Sequence, residues 1–197
     1  MLTYLVVASE GRHPLPEAAV EVLGSSSRWL THEPEATLVW TSPNGRVTFA
    51  GWFTRPEAMS WEPWHLGPKG LTAMAGWGWP EPGGLPRPRR PWAPQLAAHL
   101  ERKGDLDELT GSFSSVRLAT DGRGWVGADP FGIGLVYTAP AKGFVAVSNS
   151  AAVAACAAQR TSDPVRSSDP LAWLPFFAMV LDPGTSLDGV EVLGPGA

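Results

Sequence analysis

The sequence predicts an α+β domain whose sheets are covered by helices on both sides. Short β-rich apolar runs recur along the chain, separated by Pro-, Gly- and Asn-rich turns, as in antiparallel hairpins. Helical stretches are few and lie between those runs, so the segments order as helix, strands, helix, strands, helix. The composition is that of a folded chain: 197 residues, 44% hydrophobic and only 17% charged, with 22 Gly and 20 Pro. That balance fits a compact, turn-rich domain large enough to bury a core.

Thr3 to Ala8 reads as a buried strand. Pro16 to Leu23 has helical spacing, with proline in the first turn and Gly24 as a stop. Thr37 to Trp40 and Arg46 to Phe53 are strands joined through Pro43-Asn44-Gly45, a strong turn signal. Glu57 to Gly70, rich in Trp, Pro and Gly, reads as a loop, and Gly70 to Trp79 returns to strand. Pro80 to Pro94 is so crowded with proline that no regular structure is expected there. Gln95 to Lys103 is a helix stopped by Gly104, with His99 on its surface.

In the second half, Gly111 to Ala119 and Trp125 to Ala128 are strands around an Asp121–Gly124 turn. Asp129-Pro130-Phe131-Gly132 turns again, and Gly134 to Thr138 pairs with Phe144 to Ser148 around Pro140–Gly143. Ser150 to Gln159 is helical by its alanine content, with Asn149 or Ser150 as its cap. Asp169 to Val180 reads as a further helix despite Pro175.

Several function classes are disfavoured. A net charge of −4 lacks the basic footprint of a nucleic-acid binder. The opening MLTYLVVASE reads as a strand rather than an export signal, and no run nears the ~18 apolar residues of a membrane span. The cytoplasm is therefore the expected compartment. One cysteine, Cys156, supports neither an internal disulfide nor a metal site, and it reads as a small buried hydrophobe in an Ala-rich helix. His13, His32, His65 and His99 show no metal-ligand spacing. Ser9-Glu10, Asp129 and Ser148 invite a hydrolase triad, but no serine sits at a nucleophile elbow and no histidine matches.

A set of motifs then occurs in a telling order. Leu109-Thr110-Gly111-Ser112-Phe113 enters a strand, and Arg123 to Ile133 carries an Asp-Pro-Phe-Gly-Ile turn. Val136-Tyr137 follows, then Phe144 to Ser148 and the Ala-rich helix, and finally Thr185 to Gly196 with its Gly-Val and Leu-Gly-Pro-Gly. This order resembles the amino-terminal glutamine amidotransferase domain of the asparagine synthetase family. The resemblance implies an Ntn-hydrolase-like, four-layer αββα sandwich of two mainly antiparallel sheets over residues 1–180. It makes 181–197 a tail like the linker into an absent synthetase domain.

In that family, the resemblance implies, an N-terminal cysteine attacks the glutamine amide with its own α-amino group as base. An Asn-Gly pair stabilises the oxyanion, and an arginine and an aspartate hold the substrate. This sequence departs at the decisive places. Residue 2 is Leu2, which has no nucleophilic atom and is too bulky to favour removal of Met1. Thr3 could serve only after unusual processing. The Asn-Gly segment best matches Met74-Ala75-Gly76-Trp77, so Ala75 stands where the oxyanion donor belongs. Losing such a donor costs roughly 100- to 1000-fold in rate. Arg90 to Pro94 lacks the aspartate, and Arg46 and Arg55 are the candidates for the substrate arginine. No glycine-rich phosphate loop is present.

The expected catalytic, cofactor and metal residues are accordingly none. The reading is a pseudo-glutaminase domain that supports an ATP-dependent, amide-forming synthetase acting in trans. The substrate would be a precursor peptide or a small amino-acid-derived molecule, as in the β-lactam synthetases and lasso-peptide cyclases that also lack the cysteine. One alternative is a ligand- or peptide-binding module using the Trp-rich first half, with Trp40, Trp52, Trp61, Trp64, Trp77, Trp79 and Trp92. Another is a fragment of a glutamine-hydrolysing asparagine synthase with a hidden nucleophile. Arg87, Arg89 and Arg90 read as a solvated loop. The tail from Asp182 to Ala197 is expected to lie outside the core, with Val190, Val192 and Leu193 forming an edge strand that needs a partner.

Overall fold

A computed structural model describes residues 2–11, 13–15, 30, 33–34, 36–54, 63–79, 92–103, 109–168 and 185–193. In chain order the elements are β1 (Leu2–Ser9), β2 (Ala36–Thr41), β3 (Val47–Phe53), β4 (Trp64–Gly67), β5 (Gly70–Trp79), α1 (Trp92–Lys103), β6 (Thr110–Ala119), β7 (Gly124–Ala128), β8 (Tyr137–Ala141), β9 (Phe144–Ser148), α2 (Ala151–Gln159) and β10 (Glu191–Val192). The architecture is α+β. A six-stranded sheet runs β10-β8-β9-β1-β3-β2 and a four-stranded sheet runs β4-β5-β6-β7. Every pairing is antiparallel.

Alternation along β1 explains why its sequence is apolar almost throughout. Leu2, Tyr4 and Val6 join Phe49 and Phe53 of β3 with Leu71, Ala73, Ala75, Val116 and Leu118 of the second sheet, which is the core between the sheets. Leu5 and Val7 face the other way, into a cluster with Phe144, Ala146 and the alanines of α2. A strand buried on both faces has no reason to carry a polar side (β3 is buried at all seven positions). On the second sheet, Met74 and Phe113 pack under Leu96 and Leu100 of α1. The small residues of α2 let that helix lie close to β8 and β9.

Two hairpins form where turn chemistry demands them. Gly45, at φ +69°, closes the β2–β3 connection, and Lys142-Gly143, with Gly143 at φ +87°, closes β8–β9. Asn44 ties the first hairpin to a distant turn by donating to the Asp121 carbonyl at 2.6 Å.

The structure corrects several expectations. Within the supposed loop Glu57–Gly70, Trp64–Gly67 form β4, because Trp64 packs against the inter-sheet core and a tight turn at Pro68-Lys69 returns the chain to β5. Helix α1 begins at Trp92 and takes in Pro94, since amides of the first turn have no intrahelical carbonyl to donate to and proline forfeits no bond there. Strand β8 starts at Tyr137 rather than Gly134, because the Asp129 carboxylate captures the Gly134 and Ile133 amides into a loop. Pro140 sits inside β8, opposite Val145 and beyond the reach of the two-residue β10, so no ladder bond is lost.

His99 is 1% exposed and not a surface residue. It shares the stripe of Ala93, Leu96 and Leu100 that faces the sheet. The tail forms the expected short edge strand, β10, but its partner is β8 of the same chain, and Val190 is buried in the cluster beneath α2 rather than outside the core; Leu193 N–H donates to the Val136 carbonyl. The predicted helices at 16–23 and 169–180 lie outside the described residues. No helix among the described residues is long and apolar enough to cross a membrane.

Candidate functional site

The start of β1 is the corner at which the resemblance places a nucleophile. Leu2 is 2% exposed and stands opposite Phe53 in the β1–β3 register. Its side chain belongs to the inter-sheet core together with Ala75, and the Phe53 ring meets Trp64 edge-on at 6.4 Å. Positions 2 and 75 therefore both present hydrocarbon to that core, and neither side chain carries a hydrogen-bonding group. The next residue, Gly76, has a backbone reason to be glycine. Gly76 has φ +95°, and a Cβ there would lie 2.2 Å from the Ser112 carbonyl oxygen.

Thr3 lies on the opposite face of β1 from Leu2. Side chains alternate along a strand, and since Leu2 and Tyr4 enter the inter-sheet core, Thr3 faces the α2 side. The backbone on both sides of Thr3 is held by Asn149. The Asn149 amide donates to the Leu2 carbonyl at 2.8 Å, and its oxygen accepts from the Tyr4 N–H at 2.9 Å. Sequence reading offers Asn149 or Ser150 as the helix cap and misses this bracket. The N-cap position belongs to Ser150, whose side chain makes no capping bond.

The polar groups nearest this corner are not poised for acid–base work. Tyr4 is fully buried, stacked on Phe49 at 6.4 Å, and its hydroxyl has no hydrogen-bond partner by geometry. Burial pushes the Tyr4 phenol far above its ordinary range, and the neighbouring Ser114 hydroxyl offsets only part of that. The group stays neutral and protonated at physiological pH. The Ser148 hydroxyl donates to the Tyr4 carbonyl and accepts from the Ser150 N–H at 3.0 Å, so it is a strand-end tie.

The other residues singled out are scattered. The Arg46 carbonyl accepts from Ser9 N–H at the far end of β1, and the Arg46 side chain reaches the Gly11 carbonyl at 2.7 Å. Seven residues of strand, about 23 Å, separate that end from Leu2, so Arg46 is not a substrate arginine for this corner. Arg55 lies outside the described residues, as do His32 and the arginines at 87, 89 and 90. Asp129 is fully buried, and its two oxygens accept from the amides of Phe113, Phe131, Ile133 and Gly134 at 2.6–3.3 Å. It organises a loop. Cys156 is buried in α2.

The tryptophans do not converge in the described part. Trp52 lies in the α2-side core, while Trp40 and Trp64 pack on the inter-sheet core. Trp61 and the side chains of Trp77, Trp79 and Trp92 lie outside the description. Among the described residues no group of three His, Cys, Asp or Glu side chains could hold a metal.

No protein-family model matches the sequence, and no curated protein is significantly similar to it. Among solved structures, the chain is similar to glutamine phosphoribosylpyrophosphate (PRPP) amidotransferase from B. subtilis complexed with ADP and GMP, at TM-score 0.48 and 12% identity. The match covers 77% of this chain but only 42% of the amidotransferase, a distant likeness of fold.

Proposed function

We propose that the chain is a non-catalytic amidotransferase-like domain of the Ntn type, a four-layer αββα sandwich that supports a separate ATP-dependent, amide-forming synthetase. The observation that carries the proposal is Leu2: the first residue of a central strand, buried in hydrocarbon with Ala75, where the resembled family keeps its nucleophile and its oxyanion donor. The ordered motifs from Leu109 to Gln159 support the family reading, and α1 and α2 on the two sheets are consistent with the layered fold. A synthetase that joins a carboxylate to an amine already present in its substrate needs no ammonia, so loss of the glutaminase chemistry costs it nothing. A small amino-acid-derived substrate or a precursor peptide fits that reaction.

The hidden-nucleophile alternative is disfavoured by Thr3, which faces the α2 side of the sheet rather than the inter-sheet space. Glutamine hydrolysis tests the proposal. Purified chain incubated with glutamine releases no more glutamate than a boiled control, and reproducible turnover above that control removes the non-catalytic reading.

A further inference from the structure

A cleft of about 310 Å³ opens between α1 and the β4–β5 hairpin, on the outer face of the four-stranded sheet and away from the Leu2 corner. Its floor is a transverse polar row. His65 of β4 stands opposite Thr72 of β5, and Thr72 stands opposite Arg117 of β6. All three point to the α1 side, because their strand neighbours Trp64, Leu71, Ala73, Val116 and Leu118 face the inter-sheet core. The helix supplies the opposite wall through Pro94, Ala97, Ala98 and Glu101, a stripe of mostly small residues that leaves the space open.

The charges in this cleft are unequal. Glu101 pairs with Lys69 at 3.3 Å, so those two neutralise each other at the rim. No ion pair or side-chain hydrogen bond occupies the Arg117 guanidinium among the described residues. One uncompensated cation with a planar fork of donors remains beside the Thr72 hydroxyl and the His65 ring, against an apolar helix wall. A guanidinium fork matches a carboxylate in two parallel hydrogen bonds. A single free cation with Glu101 close by favours a monoanion over a dianion.

We propose that this cleft binds a small monocarboxylate with a short apolar tail, its carboxylate on Arg117 and its tail against Pro94, Ala97 and Ala98. The site is independent of the pseudo-glutaminase reading, and either stands if the other falls.

Saturation-transfer NMR on the intact chain with sodium butyrate tests it, at neutral pH and low salt. The expected result is saturable binding, with a dissociation constant on the order of 1 mM for so few atoms. Arg117→Gln weakens it at least tenfold. Arg117→Lys, which keeps the charge and loses the fork, falls between. Ala97→Leu, which fills the cleft and keeps every charge, abolishes binding while melting like the parent chain, so a folding defect in an Arg117 variant cannot mimic the result. Inorganic phosphate does not displace butyrate. Absence of saturable binding, binding indifferent to both Arg117→Gln and Ala97→Leu, or displacement by phosphate as effective as by acetate would each overturn the proposal.

Discussion

Asn149 brackets Thr3. Its amide donates to the carbonyl of Leu2 and its oxygen accepts from the N–H of Tyr4, joining residues 147 and 145 apart in sequence. The start of β1 pairs with β3 along one edge, and β9 reaches only as far as Leu5 along the other. Asn149 thus continues the β9 ladder with a side chain where the backbone of β9 has turned into α2.

Asn149→Ala removes both bonds and leaves two partly buried backbone groups unpaired. The expected loss is about 2–3 kcal/mol, read from the urea midpoint at unchanged m-value. Asn149→Asp keeps the acceptor for Tyr4 but sets a carboxylate against the Leu2 carbonyl, and it is expected to be no more stable than the alanine variant.

Asp129→Ala is expected to be worse. The buried carboxylate accepts four backbone amides, and hydrogen bonds to a charged acceptor are the stronger kind. A loss of at least about 3 kcal/mol is predicted, together with lost hydrogen-exchange protection at Gly134 under conditions where β9 stays protected. Preserved protection at Gly134 would show that the loop holds itself without the carboxylate.

His99→Leu should stabilise the domain by about 1–2 kcal/mol. Both ring nitrogens are buried with no partner, and leucine of similar volume extends the stripe of Leu96 and Leu100. A lowered thermal midpoint would show that the imidazole has a partner it needs.

The Tyr4 phenol gives an alkaline signature. Its folded-state affinity for a proton is raised by burial above the ordinary value of 10.0, so its contribution is complete below pH 10 and is lost as pH rises beyond it. Tyr4→Phe removes that dependence. Urea midpoints at pH 8 and pH 11 should show the parent losing more stability than the variant, by up to about 1.4 kcal/mol per pH unit above 10. Equal losses would place the titrating group elsewhere.

What the sequence made legible is mostly local. The hairpin at Asn44-Gly45, the run Phe144–Ser148 and the Ala-rich α2 follow from turn chemistry, alternation and helix propensity within a few residues. Leu2 and Ala75 differ from the pattern of the resembled family, and the structure adds that both are buried in the inter-sheet core. Long-range features were not legible: Asn149 looks like a cap because its partners are far away in sequence, and Val190 looks like linker because β8 is needed to bury it. The polarity of His99 points to the surface, whereas its spacing from Leu96 puts it on the buried stripe. The cleft row His65–Thr72–Arg117 joins three strands, and periodicity within one strand cannot disclose a row that runs across them.

The central claim is that no nucleophile operates at the amino terminus. Intact-mass measurement of the native protein, before and after incubation with an electrophilic glutamine analogue that alkylates amidotransferase nucleophiles, tests it most directly. The account predicts an unchanged mass. A stoichiometric adduct mapping to the amino-terminal peptide would contradict it.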